Sequence, residues 1–92
     1  MALLDLVGRR WALRILWELR SEPAKFRELQ ARCDRMSPSV LSVRLKELAD
    51  AFLLESDGEA GWRLTNEGRS LLVVLAPLSD WSRQWAERLQ EP

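Results

Sequence analysis

The sequence predicts a small α+β domain that is mostly α-helical, and three observations predict it. Residues 27–34 and 37–48 show helical patterns separated by a tight turn at residues 35 and 36. Residues 53–55 and 62–64 are short apolar segments on either side of a glycine-containing turn, as in a β-hairpin. Further helical patterns precede the first pair and follow the hairpin. This order is that of a winged helix-turn-helix with a two-stranded wing, formed as one domain by residues 1–92.

The first long helix is predicted over residues 10–20, where apolar side chains cover most of the circumference. This apolar arc is wider than a helix with one buried face requires. Leu13 and Trp17 lie on the surplus part of the arc, so they either contact a second chain or line a small-molecule cavity. We favour the second chain, because apolar residues alone do not imply a cavity.

The helix over residues 37–48 has a clear start signal and two distinct faces. Ser37 is a preferred N-cap residue, and Pro38 suits the first helical turn. Leucines recur at positions 41, 45 and 48 and predict a buried face. The opposite face is small and mostly uncharged, and it consists of Ser39, Ser42, Val43 and Lys46. Such a face can enter a DNA major groove and contact base edges.

Positive charge follows the helix-turn-helix, although the formal net charge of the chain is zero. Residues 9–46 have a net charge of +6, whereas residues 51–92 have a net charge of −3. A local excess of Lys and Arg is what contact with DNA phosphates requires. The predicted DNA-binding cations are Lys25, Arg27, Arg35, Arg44, Lys46 and Arg63, together with Ser37 at the helix start. For Arg44, the alternative to a DNA contact is an ion pair with an acid beside the core.

The wing and the following helix are predicted from turn and cap signals. Residues 57–61 form the turn, and Asp57 and Glu59 make its tip acidic. An acidic tip is repelled by phosphates, so we do not expect the wing to read the minor groove. Thr65 is predicted to cap a helix over residues 66–76. Pro77 is expected to kink or break this helix, with a last helix over residues 78–89.

The last predicted helix bears an apolar stripe that a small core does not need. Its members recur at spacings of three or four residues: Leu78, Trp81, Trp85 and Leu89. A domain of 92 residues buries only about two-thirds of its unfolded surface, so a partner chain would stabilise it. We therefore predict a homodimer contact made by this stripe, by Leu13 and Trp17, and by the N-terminal residues Leu3, Leu4, Leu6 and Val7.

The composition argues against several other classes of function. The chain has no histidine, which excludes a His-based triad, a His general base and most catalytic zinc sites. Its one cysteine, Cys33, cannot form an internal disulfide, and we favour a buried small hydrophobe over the alternative of a redox sensor. Charged residues interrupt the apolar N-terminal stretch, so neither a membrane span nor a signal peptide is predicted. We expect a cytoplasmic protein that is not an enzyme and needs no cofactor or metal.

Several blocks of the sequence resemble HxlR-type winged-helix transcriptional regulators. The blocks are Trp11 with Ile15-Leu16 and Glu18-Leu19, residues 25–29, Ser37-Pro38, Leu41-Ser42, residues 44–48, Leu53, Leu64-Thr65, Gly68, Leu71-Leu72 and Trp81. The resemblance covers roughly residues 3–85. It implies a homodimeric bacterial DNA-binding regulator related to the MarR group. It also implies that the terminal helices form the dimer and that the third helix reads the major groove.

The chain departs from that family pattern at four points. Ser39 and Val43 stand where a basic and a polar residue are usual, so this face offers no bidentate guanine contact but could meet a thymine methyl. Phe52 stands where a helix-ending glycine is common, so we expect helix three to end differently, because positive φ is costly for Phe. The wing tip is acidic, and the family's frequent N-terminal cysteine is absent.

The sequence thus predicts a regulator of transcription, most often a repressor, that binds double-stranded DNA. It would act as a homodimer on a pseudo-palindromic operator, and a small-molecule effector is left open as a further partner. The alternative is a winged-helix protein-interaction module that dimerises without binding DNA. The zero net charge and the acidic wing keep this alternative open, since a fold alone does not determine function.

Overall fold

A computed structural model describes residues 6, 8, 9 and 11–91 of the chain. Within them the elements follow in the order α1 (Ala12–Glu18), α2 (Phe26–Arg32), α3 (Pro38–Asp50), β1 (Leu54–Ser56), β2 (Trp62–Leu64) and α4 (Asn66–Leu89). This order confirms the predicted winged helix-turn-helix. None of the described helices combines the length and the apolar character that crossing a membrane would require.

The core lies between the first three helices and the inner side of the wing. Its most deeply buried large side chains are Ile15, Leu16, Leu19, Leu29, Leu41, Leu45 and Leu48. The three leucines of α3 are those whose spacing predicted a buried face, and each contributes about 1.5–3 kcal/mol by leaving water. Leu54 and Leu64 close the core from the wing, and half-buried Trp11 and Trp62 pack against it.

Helix α1 is shorter than the predicted range 10–20. Trp11 precedes it with a φ of 77°, a left-handed conformation that cannot belong to the helix. At the other end the N–H of Leu19 donates to the carbonyl of Leu16 at 3.2 Å, three residues back, which tightens and ends the last turn. Residue 10 lies outside the described part of the chain.

Helix α2 ends two residues before the predicted position 34, and the turn begins earlier than predicted. Asp34 and Arg35 are left-handed, with φ of 58° and 57°. The N–H of Arg35 donates to the carbonyl of Gln30 at 2.9 Å, the long bond of a Schellman motif. The Asp34 carboxylate also lies 3.3 Å from the Arg14 guanidinium of α1. These bonds set the angle at which α3 leaves the turn.

The end of α3 contradicts the expectation for Phe52. This residue takes the position usually held by glycine, with a φ of 62°. Its N–H donates to the carbonyl of Ala49 and the N–H of Leu53 donates to the carbonyl of Leu48, both at 3.0 Å. These are the two bonds of a Schellman motif. The strain of about 1–2 kcal/mol for a left-handed L-residue is offset by these bonds and by the burial of Leu53.

The wing is a two-stranded antiparallel sheet with a third short segment beside it. Strand β1 begins one residue later than predicted, and Leu54 pairs with Leu64. Ala24, just before α2, exchanges two backbone hydrogen bonds of 3.0 and 2.8 Å with Trp62. Gly61 lies so close to this bridge that a Cβ there would overlap the carbonyl of Ala24. The wing is therefore held against the start of α2.

The predicted division of the C-terminal segment at Pro77 is wrong. Helix α4 runs unbroken from Asn66 to Leu89 with Pro77 inside it. The proline deprives the carbonyl of Val73 of its helical donor, but this turn is exposed, so water can bind that carbonyl while the neighbouring turns continue. The predicted start is confirmed, since the Thr65 hydroxyl accepts a hydrogen bond from the N–H of Gly68 at 3.0 Å.

Candidate nucleic-acid interface

The solvent side of α3 presents the residues predicted to face a groove. Ser39, Ser42, Val43 and Lys46 are all exposed, opposite the buried leucines of the same helix. Ser37 precedes the helix, but its side chain makes no cap bond. Its hydroxyl instead lies 2.9 Å from the hydroxyl of Ser39. Two hydroxyl groups therefore stand together at the N-terminal end of α3, where both can donate to or accept from a polar ligand.

The cations on α3 are already paired with acids of the same helix. Arg44 lies 2.8 Å from Glu47, and its side chain is only 19% exposed. Lys46 lies 3.3 Å from Asp50. Arg9, from the N-terminal segment, also reaches Glu47 at 3.0 Å. The structure therefore supports the alternative prediction for Arg44, a pair beside the core, because Leu41 and Arg44 point in similar directions.

Three of the predicted phosphate contacts have a different environment. Lys25 is the N-cap of α2, Arg27 lies in its first turn, and Arg35 lies in the turn before α3. All three side chains are exposed, and none forms an ion pair with another described residue. Their charges are thus available to an external anion at both ends of α2.

Other cations of the helix-turn-helix join α1 to α2. Arg14 donates to the carbonyl of Arg32 at 2.7 Å and pairs with Glu18 and Asp34. Arg32 donates in turn to the carbonyl of Glu18 at 3.1 Å. Apart from the Arg14–Glu18 pair, which is only four residues apart, sequence reasoning missed this network, because contacts between residues 14 to 20 positions apart leave no local pattern. The net charge of +6 therefore overstates the charge that DNA can reach.

Arg63, which was predicted to contact DNA, is paired with two carboxylates of the wing. Its Nε lies 2.9 Å from Glu55 and its Nη1 lies 3.3 Å from Asp57. Register places Glu55 directly opposite Arg63 on the two strands, so their side chains meet on the same face of the sheet. The side chain of Asp57, paired in this way, is only 22% exposed. Glu59 remains exposed at the turn.

Two aromatic residues border the groove between α3 and the wing, and sequence reasoning assigned neither of them to the DNA interface. This groove of about 340 Å³ is lined by Phe26, Ser42, Leu45, Lys46, Ala49, Asp50 and Trp62. Half-buried aromatic side chains thus adjoin two of the predicted groove residues, Ser42 and Lys46. A polar backbone passing along α3 would lie beside this apolar surface.

An exposed apolar stripe on α4 is the second feature of the surface. Its members are Val74, Leu78, Trp81, Trp85 and Leu89, each at least 50% exposed. Trp81 and Trp85 stack on each other with ring centroids 5.9 Å apart. Sequence reasoning missed Val74 because it placed Val74 and Leu78 on separate helices divided at Pro77. Their spacing of four residues was therefore not considered. We refer to these five residues as the α4 stripe.

A shallow apolar groove of about 230 Å³ lies between α1 and α4. Leu13, Trp17, Leu72, Leu75, Ala76, Leu78, Ser79 and Ser82 line it. Leu13 and Trp17 are 37% and 49% exposed, as the surplus apolar arc of α1 predicted. The Arg20 guanidinium stacks over the Trp17 ring at 3.9 Å. Of the N-terminal residues predicted at the dimer contact, Leu6 is half-buried against its own core, and Leu3, Leu4 and Val7 lie outside the described residues.

Cys33 is fully buried and free, as expected for a small core hydrophobe. Burial raises the pKa of its thiol, because the thiolate would lose its hydration in the core. A raised pKa and a buried sulfur both oppose oxidation. Among the described residues no cluster of His, Cys, Asp or Glu could hold a metal ion.

Comparison with known proteins identifies the family. The model of the HxlR-like helix-turn-helix family matches residues 6–90. The HTH-type transcriptional regulator YvaP of Bacillus subtilis is 29% identical over 89 residues, which are 90% of this chain and 82% of YvaP. The crystal structure of quinone-bound YodB from B. subtilis superimposes with a TM-score of 0.83 at 29% identity, over 90% of this chain and 92% of YodB.

A second solved structure, an HxlR family transcriptional factor from Thermoplasma volcanium, superimposes equally well. Its TM-score is 0.83 at 25% identity, over 92% of this chain and 82% of that chain. These relatives are transcriptional regulators and not enzymes. The chain therefore belongs to the HxlR-like helix-turn-helix family and is a DNA-binding transcriptional regulator.

Proposed function

We propose that this regulator binds double-stranded DNA as a homodimer, with α3 in the major groove and Lys25, Arg27 and Arg35 on the phosphates. One observation carries the proposal: these three exposed cations have no ion pair among the described residues. They lie at the two ends of α2, the helix that precedes α3. A cation that already has a carboxylate partner must lose that partner to bind a phosphate, whereas these three need not. They should therefore dominate the affinity.

The uncharged residues on the exposed face of α3 would read the bases. The hydroxyls of Ser39 and Ser42 can donate to or accept from base edges, and Val43, which is 50% exposed, can contact a thymine methyl. Because these side chains are uncharged, substituting them should change the preferred sequence while leaving the salt dependence of binding unchanged. A pseudo-palindromic operator follows from two-fold symmetry, with half-sites about 34 Å apart.

The direct test is a binding titration with the DNA upstream of the protein's own gene across a salt series. Lys25→Glu and Arg27→Glu should each weaken binding to every duplex. Each should also flatten the slope of log K against log salt by about 0.9, the value for one lost phosphate contact. Arg83→Glu is the matched control, because it makes the same charge change at a residue of α4 that already pairs with Asp80.

Two outcomes would contradict this docking. If the parent protein binds no duplex even at low salt, the protein-interaction alternative replaces DNA binding. If the parent binds but Lys25→Glu and Arg27→Glu behave like the Arg83→Glu control, the protein approaches DNA with another face. Substitutions at Ser39 or Val43 that leave the sequence preference unchanged would place the readout elsewhere.

The α4 stripe and the groove beside it support the homodimer. An isologous contact uses the same patch twice, so each protomer must offer both a projecting and a receiving surface. The stacked pair of Trp81 and Trp85 projects from α4, and the groove between α1 and α4 offers an apolar surface next to it. Large exposed apolar surfaces of this kind are typical of protein interfaces, in which tryptophan is enriched.

The dimer is tested by light scattering at micromolar concentration. The parent should have about twice the chain mass, and the double variant Trp81→Ala/Trp85→Ala should have the mass of one chain. Val73→Ala is the control, because Val73 is 74% exposed but lies about 100° around the helix from Val74. A monomeric parent, or a double variant that remains a dimer, would contradict the proposal.

Repression, a cytoplasmic location and control by a small-molecule effector complete the proposed function. The solved YodB structure contains a bound quinone, which supports a planar organic effector for this relative too. Since Cys33 is fully buried, such an effector would act here without modifying the thiol. Cys33→Ser should therefore keep any quinone-induced release of the operator that the parent shows. Loss of the response in this variant alone would contradict a non-covalent effect.

A further inference from the structure

The outer face of the wing consists of charged side chains that bind one another. Strand alternation turns Leu54 and Leu64 towards the core, where they are buried, and turns Glu55 and Arg63 outward. Asp57 follows two residues after Glu55 and lies within 3.3 Å of the same guanidinium. The three side chains therefore form one acid–arginine–acid group, which we call the wing clamp.

The wing clamp occupies the donors that a phosphate would need. Glu55 accepts from Nε of Arg63 at 2.9 Å, and Asp57 accepts from Nη1 at 3.3 Å. A guanidinium binds a carboxylate and a phosphate through the same fork of N–H groups, so the two ligands compete. With Glu59 included, residues 54–64 have a net charge of −2. An approaching duplex thus meets net negative charge and an arginine with two carboxylate partners.

We infer that Glu55 and Asp57 withhold Arg63 from DNA and keep the wing from contributing a phosphate contact. The inference rests on the proposed DNA binding and adds which parts of the chain affect the affinity. The helix-turn-helix provides the affinity for DNA, while the wing lowers it. The carboxylates of the wing clamp are therefore negative determinants of affinity. Arg63 is a latent contact whose contribution appears only when its partners are removed.

The partial exposure of the wing clamp determines the size of the effect. The side chains of Arg63, Glu55 and Asp57 are 46%, 48% and 22% exposed. Partly exposed ion pairs shift an equilibrium by up to about fivefold each. Removing both carboxylates should therefore raise duplex affinity by about tenfold at low salt. The slope of log K against log salt should steepen by about 0.9, because Arg63 gains one phosphate.

The experiment is a double-mutant cycle on the full chain, read out as duplex affinity across a salt series. The first arm is Glu55→Gln/Asp57→Asn, which keeps the side-chain shapes and removes both charges. The second arm is Arg63→Gln, which should leave the salt slope of the parent unchanged. The third arm combines all three substitutions and should show no steepening. Glu59→Gln/Glu67→Gln is the control, because it removes two exposed negative charges that have no ion pair to Arg63.

The arms distinguish the wing clamp from simple charge repulsion between the wing and DNA. If the gain in affinity persists in the combined variant, or equals the gain in the control, repulsion alone accounts for it and the inference is wrong. If Arg63→Gln alone weakens binding and flattens the slope, Arg63 already contacts DNA and the inference is also wrong. Lys25→Glu tests the phosphate contact of the helix-turn-helix, and its expected loss of affinity does not depend on the wing clamp. A parent that binds no duplex would overturn the proposed function itself, and the inference with it.

Discussion

Substitution of Gly68 by alanine should destabilise this protein, although the same change stabilises most helices. An alanine in a helix interior is favoured over glycine by up to about 1 kcal/mol. Here a Cβ at Gly68 would overlap the carbonyl oxygen of Leu53 and would lie 3.2 Å from Cδ2 of Leu64. The first turn of α4 packs so closely against Leu53, which joins α3 to β1, that only glycine fits.

The size of the stability loss depends on which contacts weaken when α4 moves to make room for the new Cβ. The Leu53 carbonyl accepts the N–H of Thr65 at 3.1 Å, and the Thr65 hydroxyl accepts the N–H of Gly68 at 3.0 Å. Moving α4 away weakens these bonds, at about 0.5–1.5 kcal/mol each, and overpacking costs a further 1–3 kcal/mol or so. After the helix-propensity gain of about 1 kcal/mol, a net loss of about 1–5 kcal/mol remains. For a domain of this size each kcal/mol lowers the Tm by about 4–8 °C.

Thermal and urea unfolding, followed by far-UV circular dichroism at one protein concentration, measure this loss. A fixed concentration is needed because the proposed dimerisation would make the Tm depend on protein concentration. The control is Gly58→Ala in the wing turn, where φ is 77° but no heavy atom lies within 4 Å of the new Cβ. Backbone strain without a steric clash should cost about 1–2 kcal/mol there. A Gly68→Ala variant as stable as the parent would refute the packing argument.

Three further substitutions test features that contradict or extend the sequence pattern. Phe52→Gly should raise the free energy of unfolding by about 1 kcal/mol, because it removes left-handed strain at a side chain that is 74% exposed. This gain would appear as a higher urea midpoint, whereas a lower midpoint would show that the aromatic ring packs. Pro77→Ala should raise stability by up to about 3 kcal/mol and strengthen the helical signal, and an unchanged melting curve would contradict this. For Cys33 the buried thiol has a raised pKa, so the unfolded chain loses its proton first and stability falls as the pH rises past the ordinary thiol pKa. Cys33→Ala should reduce this alkaline loss, and rapid reaction of the native thiol with Ellman's reagent at neutral pH would contradict its burial.

The fold could be predicted because its signals are local. Pro38 and the leucines at positions 41, 45 and 48 lie within four turns of one helix, so their spacing is sufficient to place the helix and its buried face. The wing strands and Thr65 are likewise defined by neighbouring residues. The same local logic failed at Phe52 and Pro77, where tertiary packing and solvent access compensate for an unfavourable residue.

The candidate site could be predicted only in part. The sequence by itself determined the order of the elements, the exposed uncharged face of α3, the buried Cys33 and the apolar stripe of the C-terminal helix. It could not determine which cations are available, because an ion pair forms between side chains that only the fold brings together. Arg14 meets Asp34 across two helices, and Arg63 meets its acids through strand register. The tertiary structure therefore decided which positive charges have no ion pair among the described residues, since charge pairing depends on distance in space and not on position along the chain.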